Sequence, residues 1–373
     1  MRIFFFAFIL VHGLIHLLGF VKAFGFASIS QLTQPVTKPA GIAWLASGVL
    51  FVVAAFLYLF HQECWWVIGV PAVVVSQTLI FLAWKDARFG TIATVIVLLP
   101  LVMDVANALP GSFRDIYKEE AARGIGRFHA QSPVTETDLA KLPPPVQKYL
   151  RYAGVVGKPR VQNFRATFTG KFRRSPESGW MDFSSQQYNF FDEPTRIFLI
   201  ESSAYGIPFD GLHVYKGTNA TMQIKIASLF QIADAKGDTM TKGETVTLFN
   251  DMCIMAPATL IDSGIQWQTI DSLTVKGSFT NAGYTISALL SFNGEGQLVD
   301  FSSDDRFMSA DGITYKNFRW TTPVRNYREI DGRNIASRAE LIWHMPAGEY
   351  IYGEFDLDNI EYNCTQFKWF DTN

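Results

Sequence analysis

Four apolar runs occupy the first 110 residues and limit what this chain can fold into. They cover about Ile3–Phe26, Gly41–Phe60, Trp65–Trp84 and Phe89–Leu109. Each is roughly 20 residues long, which at about 1.5 Å per residue spans a hydrocarbon core of about 30 Å. In lipid every backbone polar group has to be satisfied within its own segment, so the runs are expected to be helices. Charge is correspondingly scarce. Of 32 basic and 34 acidic residues in the chain, this stretch holds Arg2, Lys22, Lys38, Glu63, Lys85, Asp86, Arg88 and Asp104, and no others. The sequence therefore reads as a four-helix membrane domain over residues 1–110, a linker with short helices over 111–160, and a soluble domain over 161–373. The formal net charge of −2 lacks the basic excess that a nucleic-acid partner requires. Membrane lipids are the expected surroundings.

Trp65, Trp66 and Trp84 mark the ends of the third run, as an interfacial belt would. The turn at His61–Cys64 is too short for anything but a helical hairpin. Four spans place the N-terminus and the soluble domain on one side of the membrane. Lys22, Lys38, Lys85 and Arg88 flank the first and third connections, and short basic loops stay in the cytoplasm. The soluble domain is then expected outside the cytoplasm, although Arg114, Lys118, Arg123 and Arg127 follow the fourth run and pull the other way. The first run also fits a signal peptide with Arg2 as its basic start and a cleavage site near Gly25–Ala27. Its length, and a charge at Lys22, favour an uncleaved helix.

Ionisable side chains within a span are costly and are site candidates by default. His12 and His16 stand four residues apart and share one helix face. Asp104 lies in the fourth run, at a depth expected to match that of His12. Two readings are open: a proton-linked or metal-ligating site, or interhelical hydrogen bonds that fix packing at about 1 kcal/mol each. Two histidines on one helix are too few ligands for a metal, so packing is favoured and no cofactor is expected.

Beyond residue 160 the pattern becomes alternation with turns every 8–14 residues, the mark of an antiparallel meander. About twelve or thirteen strands are expected, separated by Asn281–Gly283, Asn293–Gly296, Asp311-Gly312 and Asp331-Gly332. Thr241–Pro257 breaks the alternation and reads as a helix with Val246, Phe249 and Cys253 on its apolar side, ended by Pro257. Upstream, Thr135–Asp138 has the spacing of a capping box, and Pro145–Ala153 reads as a short helix with Val146, Tyr149, Leu150 and Ala153 on one face. The expected architecture is membrane α-helical plus an all-β or α+β domain, a large curved antiparallel sheet with one or two covering helices. Such a half-barrel either holds an apolar ligand against its aromatic lining or closes on a filled core. Arg165, Arg173 and Arg196 are candidates to meet a lipid headgroup at the cavity mouth; exposed strand arginines are the alternative. A Cys253–Cys364 disulfide is open to the chain if the domain faces an oxidising compartment.

Sites with recognisable chemistry are absent from the sequence. There is no nucleophile elbow, zinc-binding H-E-x-x-H or phosphate loop. His344 fits a surface strand end, and Asp304 and Asp305 would point to opposite faces of a strand. What the sequence does carry is a resemblance. Leu142-Pro-Pro-Pro-Val-Gln-Lys-Tyr-Leu-Arg-Tyr-Ala-Gly154, Phe168-Thr-Gly-Lys-Phe-Arg173, Glu244-Thr-Val-Thr-Leu-Phe-Asn-Asp-Met-Cys253, Trp343-His-Met-Pro-Ala-Gly348 and Ile360-Glu-Tyr-Asn363 resemble, in order, a bacterial family of unknown function numbered 6544. The resemblance runs from about Leu142 to the C-terminus, and Val11–Phe20 looks like the membrane start of some members. It implies a domain similar to the half-barrels of LolA/LppX-type lipoprotein carriers and a bacterial inner-membrane location. It supplies no catalytic residues. The leading expectation is an extracytoplasmic half-barrel that shelters a hydrophobic, lipid-like ligand. The alternatives are a non-enzymatic assembly subunit with a membrane-protein partner, and, less favoured, an enzyme on lipid-linked substrates built on His12, His16 and Asp104.

Overall fold

The computed structural model describes residues 2–262, 264–309 and 311–369. It divides into two compact units, one ending at Leu109 and the other beginning at Pro110.

The first unit holds α1 (Arg2–Ala23), α2 (Lys38–Leu59), α3 (Trp65–Leu82), the single turn α4 (Trp84–Ala87) and α5 (Gly90–Ala108). The helices α1, α2, α3 and the run beginning at α5 are long and apolar enough to cross a membrane. With hydrocarbon on both sides there is no hydrophobic drive to pack, so close contact relies on small residues. A Cβ on Gly13 would lie 2.8 Å from that of Phe51, and one on Gly48 would lie 2.9 Å from the Gly13 carbonyl. Val11, Leu14, Ile15 and Leu18 stay exposed on the outside of α1, as a lipid-facing surface should. The first and third connections meet: the Asp86 carboxylate accepts from the backbone N–H groups of Thr33 and Gln34 at 2.6 and 2.8 Å. That is the arrangement four consecutive spans require.

The second unit is built on strands. In chain order they are β1 (Asn163–Phe172), β2 (Met181–Phe190), β3 (Thr195–Ala204), β4 (Ile207–Lys216), β5 (Asn219–Ile226), β6 (Phe230–Lys236), β7 (Ile265–Thr269), β8 (Thr274–Asn281), β9 (Tyr284–Phe292), β10 (Leu298–Ser303), β11 (Phe307–Met308), β12 (Lys316–Asn317), β13 (Arg319–Thr321), β14 (Val324–Ile330), β15 (Arg333–Met345) and β16 (Gly348–Tyr362). Fourteen form one antiparallel sheet in the order β6-β5-β4-β3-β2-β1-β16-β15-β13-β10-β9-β8-β7, with β14 on β15. The sheet does not close: β6 and β7 are its two edges, the open half-barrel expected.

Among the described residues the unit also holds the α-helices α6 (Phe113–Ile125), the single turn α7 (Glu136–Leu139), α8 (Pro144–Tyr152) and α9 (Asp238–Ile254), and a 3-10 helix at Pro257–Ile261. The helix α9 joins the two sheet edges across the concave face. Its residues from Thr245 to Ile254 are all buried, with Phe249 stacked on Phe279 at 5.4 Å. The expected capping box forms, with the Asp138 carboxylate accepting from the Thr135 N–H at 2.8 Å. The face of α8 bearing Val146, Tyr149 and Leu150 is buried, and Tyr149 donates to the Cys253 carbonyl at 2.7 Å. The opposite, convex face carries a smaller apolar cluster in which α6 and the C-terminal segment cover Tyr188, Phe190, Ile197 and Leu199. Cys253 belongs to the concave core and Cys364 to the convex one, and both are free thiols. The sheet stands between them, which rules out the disulfide.

One carboxyl on β10 sits at a bulge, where the register shifts between Leu298 and Asp300. Burial drives the Asp300 pKa up to about 6, with backbone N–H groups of Phe301 and Thr322 only partly opposing it. Its unfolded value is about 3.9. A raised folded pKa means the proton is held more tightly in the native state. The stabilisation is therefore full below about pH 4 and is lost as pH rises through about 6. Asp300→Asn is expected to be more stable than wild type at pH 8, with the advantage gone at pH 4, in urea melts of the full chain in detergent.

Candidate functional site

Strand register divides the concave face into two halves. The turns after β1, β3, β5 and β15 lie at one end of the sheet, since Phe172 pairs with Met181, Ala204 with Ile207, Ile226 with Phe230, and Met345 with Gly348. The helix α9 crosses near the other end. Its Thr241 hydroxyl accepts from the Ala220 N–H, and its Thr245 hydroxyl meets the Tyr215 hydroxyl, both beside the β4–β5 turn.

Between α9 and the sheet lies a buried charge network. Arg196, on β3, donates from Nε to Asp251 Oδ2 at 2.8 Å and approaches Glu244 Oε2 at 3.4 Å. Gln187 and Asn189, on β2, donate to the same Asp251 oxygen at 2.6 and 3.0 Å. Arg306 reaches Glu244 Oε1 at 3.5 Å and the Tyr352 hydroxyl at 3.0 Å, with its guanidinium 4.3 Å over the Trp320 ring. His213 Nδ1 stands 3.9 Å from Glu244. Burial alone would raise the Glu244 pKa, but His213, Arg196 and Arg306 outweigh it and hold the carboxyl well below the usual range. At Asp251 burial wins over Arg196 and the two amides, and the pKa goes up. Two guanidiniums against two carboxylates leave the network self-neutralising.

The rest of the concave face, toward the turn end, is apolar and only half covered. Phe172, Ile200, Phe209, Ile224, Leu341 and Phe355 point inward and are half-buried. Phe183 and Phe198 form their floor, with ring centroids 4.6 and 6.4 Å from that of Phe355. The unit thus presents a half-covered aromatic floor beside a sealed charged wall. An open groove of about 450 Å³, which shares Phe183 with this floor, lies around Thr169, Gly170, Lys171, Asp182, Arg338, Glu354 and Asp356. Its charges pair internally, Arg338 with Glu354 at 2.6 Å and Lys171 with Glu354 at 3.2 Å.

The three candidate headgroup arginines go to three places. Arg196 lies in the charge network. Arg165 is on the convex side, 2% exposed, donating to the Trp369 carbonyl at 2.7 Å. Arg173 lies at the turn end, donating to the Ile351 carbonyl at 2.8 Å and stacking over Trp180 at 4.7 Å. Sequence alternation could not separate them, because it does not say which face of a two-sided sheet is concave. The network partners Glu244, Asp251 and Arg306 went unrecognised; the signal was two acids on one face of the Thr241–Pro257 helix, seven residues apart.

In the membrane unit His12 and His16 join a polar cluster that links three helices. His16 Nδ1 donates to the His12 carbonyl and Nε2 meets Ser76 Oγ, both at 2.8 Å. His12 Nε2 lies 3.4 Å from Thr94 Oγ1. Asp104 is ten residues further along α5 than Thr94, about 15 Å, and accepts from Trp65 Nε1 at 2.5 Å. The matched depth expected for His12 and Asp104 is corrected by that spacing. Asp104 belongs with Trp65 and Tyr58 near the α2–α3 turn, since the end of α5 reaches that level. Among the described residues no group of three His, Cys, Asp or Glu side chains is placed to hold a metal.

Removing one member of a buried ion pair costs about 3–5 kcal/mol, because the partner charge is stranded. Arg196→Met is expected to destabilise the full chain by about that much. Pairing it with Asp251→Leu should recover only a small part, because the Gln187 and Asn189 amides then lose their acceptor and Glu244 still lacks Arg196. Denaturant melts of the three proteins in detergent test this.

Against known proteins, a family of unknown function, DUF6544, matches residues 132–355, more than half of the chain. No curated protein matches. Among solved structures, a LolA superfamily protein from Nitrosomonas europaea shares 11% identity over 61% of this chain and 94% of its own, at a TM-score of 0.34. A putative outer membrane lipoprotein-sorting protein domain from Vibrio parahaemolyticus shares 10% over 54% and 85%, at 0.33. A DUF1329 family protein from Desulfovibrio piger shares 12% over 58% and 91%, at 0.35. Similarity at this level says nothing about ligands.

Proposed function

This chain belongs to the family of unknown function DUF6544, and we propose that it is a bilayer-anchored half-barrel that shelters a hydrophobic, lipid-like ligand. The observation that carries the reading is the half-covered apolar floor of Phe172, Ile200, Phe209, Ile224, Leu341 and Phe355. Apolar side chains on a concave surface keep part of their hydrophobic free energy unspent until something covers them. The ligand lies on this floor and not under α9, because displacing α9 would expose some ten buried side chains at about 1.5–3 kcal/mol for each large apolar one. Burying about ten methylenes of an acyl chain at about 0.8 kcal/mol each gives about 8 kcal/mol before the costs of association. That suits reversible sheltering. The reading includes an inner-membrane location with the sheet outside the cytoplasm, motivated by the basic first and third connections, and Arg173 as the headgroup contact. The sealed pairing of Arg196 gives it a structural part.

A second reading, an assembly subunit, draws on the open edges β6 and β7, whose unpaired backbone groups can accept a partner strand.

The test is photocrosslinking in proteoliposomes containing a diazirine-bearing fatty acid, with peptides mapped by mass spectrometry. Adducts are expected on β1, β3, β4 and β16, as well as on the spans. Ile200→Glu should cut the sheet adducts by about tenfold, since each 1.4 kcal/mol of lost affinity is tenfold, and leave the span adducts unchanged. Adducts confined to the spans would remove the ligand reading and leave the assembly reading.

A further inference from the structure

The turn end of the sheet carries an unusual set of side chains. Tyr205 is fully exposed at the tip of the β3–β4 hairpin, with Ile207 beside it 54% exposed. At the neighbouring β5–β6 turn, Leu229 and Phe230 are exposed, Phe230 by 68%. The two tips are adjacent, since Phe209 pairs with Ile226 and the Ala227 N–H donates to the Pro208 carbonyl at 2.8 Å. Trp180 is exposed in the β1–β2 turn, gripped by Lys171 at 4.8 Å and Arg173 at 4.7 Å.

Two further observations point to one occupant. Tyr205 has φ of 52°, a left-handed conformation that Asn, Asp or Gly adopts far more readily in a two-residue hairpin. A bulky aromatic held there at a backbone cost, with no contact of its own burying it, is placed for something outside the chain. The same chain also carries four helices long and apolar enough to cross a membrane, so a bilayer is a surface this unit is tethered to. Tryptophan and tyrosine with nearby cations and aliphatic tips are the chemistry of the membrane–water interface.

We propose that the hairpin tips at Tyr205–Ile207 and Leu229–Phe230, together with Trp180, dock into the interfacial layer of a lipid bilayer. Glu177 and Glu349 are exposed at the same end, so insertion of apolar tips carries the contact, and anionic lipid is not required. The proposal stands apart from the ligand reading, because no tip residue belongs to the apolar floor.

The test uses the full chain with Cys64→Ser, leaving only the two buried cysteines. Single labels are placed through Tyr205→Cys, Phe230→Cys and, at the opposite end of the sheet, Thr218→Cys. Each is modified with an environment-sensitive nitrobenzoxadiazole dye in vesicles of phosphatidylcholine alone. Docking predicts a blue-shifted emission at 205 and 230 that is lost to nitroxide-bearing lipid and spared by aqueous iodide, with the reverse at 218. The same result should persist when phosphatidylglycerol is added. Equal iodide quenching at all three positions overturns the proposal. So does protection from iodide without loss to the lipid nitroxide, which would mean that protein covers the tips. Ligand crosslinking is read separately, so either result can fail alone.

Discussion

The helix α9 is too narrow to cover the concave face of a fourteen-strand sheet by itself, and the β10–β13 connection shares the task, with Arg306 reaching Glu244 and Gly312 lying against Ala235 of β6. Ten-residue strands are about 33 Å long, and a helix with its side chains is about 10–12 Å across. Running from edge β6 to edge β7, α9 seals a strip at one end, where α8 joins it. Everything else about the unit follows from that mismatch. The sealed strip holds the charges, which have to be paired there, and the unsealed remainder holds aromatic side chains that water touches.

The charge network is the consequence of crossing polar strands with a polar helix. Asp251 and Glu244 face the sheet from α9, and Arg196, Gln187 and Asn189 answer from β2 and β3. An apolar seam would be as stable or more so, since buried pairs seldom repay their desolvation. What a paired seam adds is position. Shifting α9 by one residue would strand both carboxylates, whereas an apolar helix could slide. The network therefore sets where the covered strip ends and where the open floor begins.

Much of this fold was legible in the residues. The four apolar runs named the four long apolar helices, Thr135–Asp138 named the capping box of α7 in the second unit, and the break in alternation at Thr241 named α9. Strand β6 went unread because Phe230–Lys236 is an edge with both faces largely exposed, so it lacks the alternation that burial imposes. The short strands β12 and β13 are separate because β12 pairs with β11 in a two-stranded sheet while β13 joins the large one. The site was less legible for a geometric reason. Alternation assigns residues to two faces, but the choice of the concave one depends on sheet curvature and on which edges α9 joins. Arg165 and Arg196 look alike in sequence and lie on opposite faces. In the membrane unit, His12 and His16 read correctly as one face, but their partners Ser76 and Thr94 are ordinary span residues whose role appears only once three helices meet.

The two uncovered surfaces share an end. The floor opens toward the turns after β1, β3, β5 and β15, and those turns carry Trp180, Tyr205, Ile207 and Phe230. A carrier that releases its cargo to water would gain nothing from apolar tips around the mouth, since each exposed tip lowers solubility. A receptor that takes cargo from a bilayer gains twice. Tips seated in the interfacial layer bury their own apolar surface, and they hold the mouth against the phase in which a lipid-like ligand resides. The ligand then moves from one apolar environment to another without crossing water. The strained Tyr205 backbone is affordable on that account only if the aromatic ring is used, and the mouth of the floor is where it would be used.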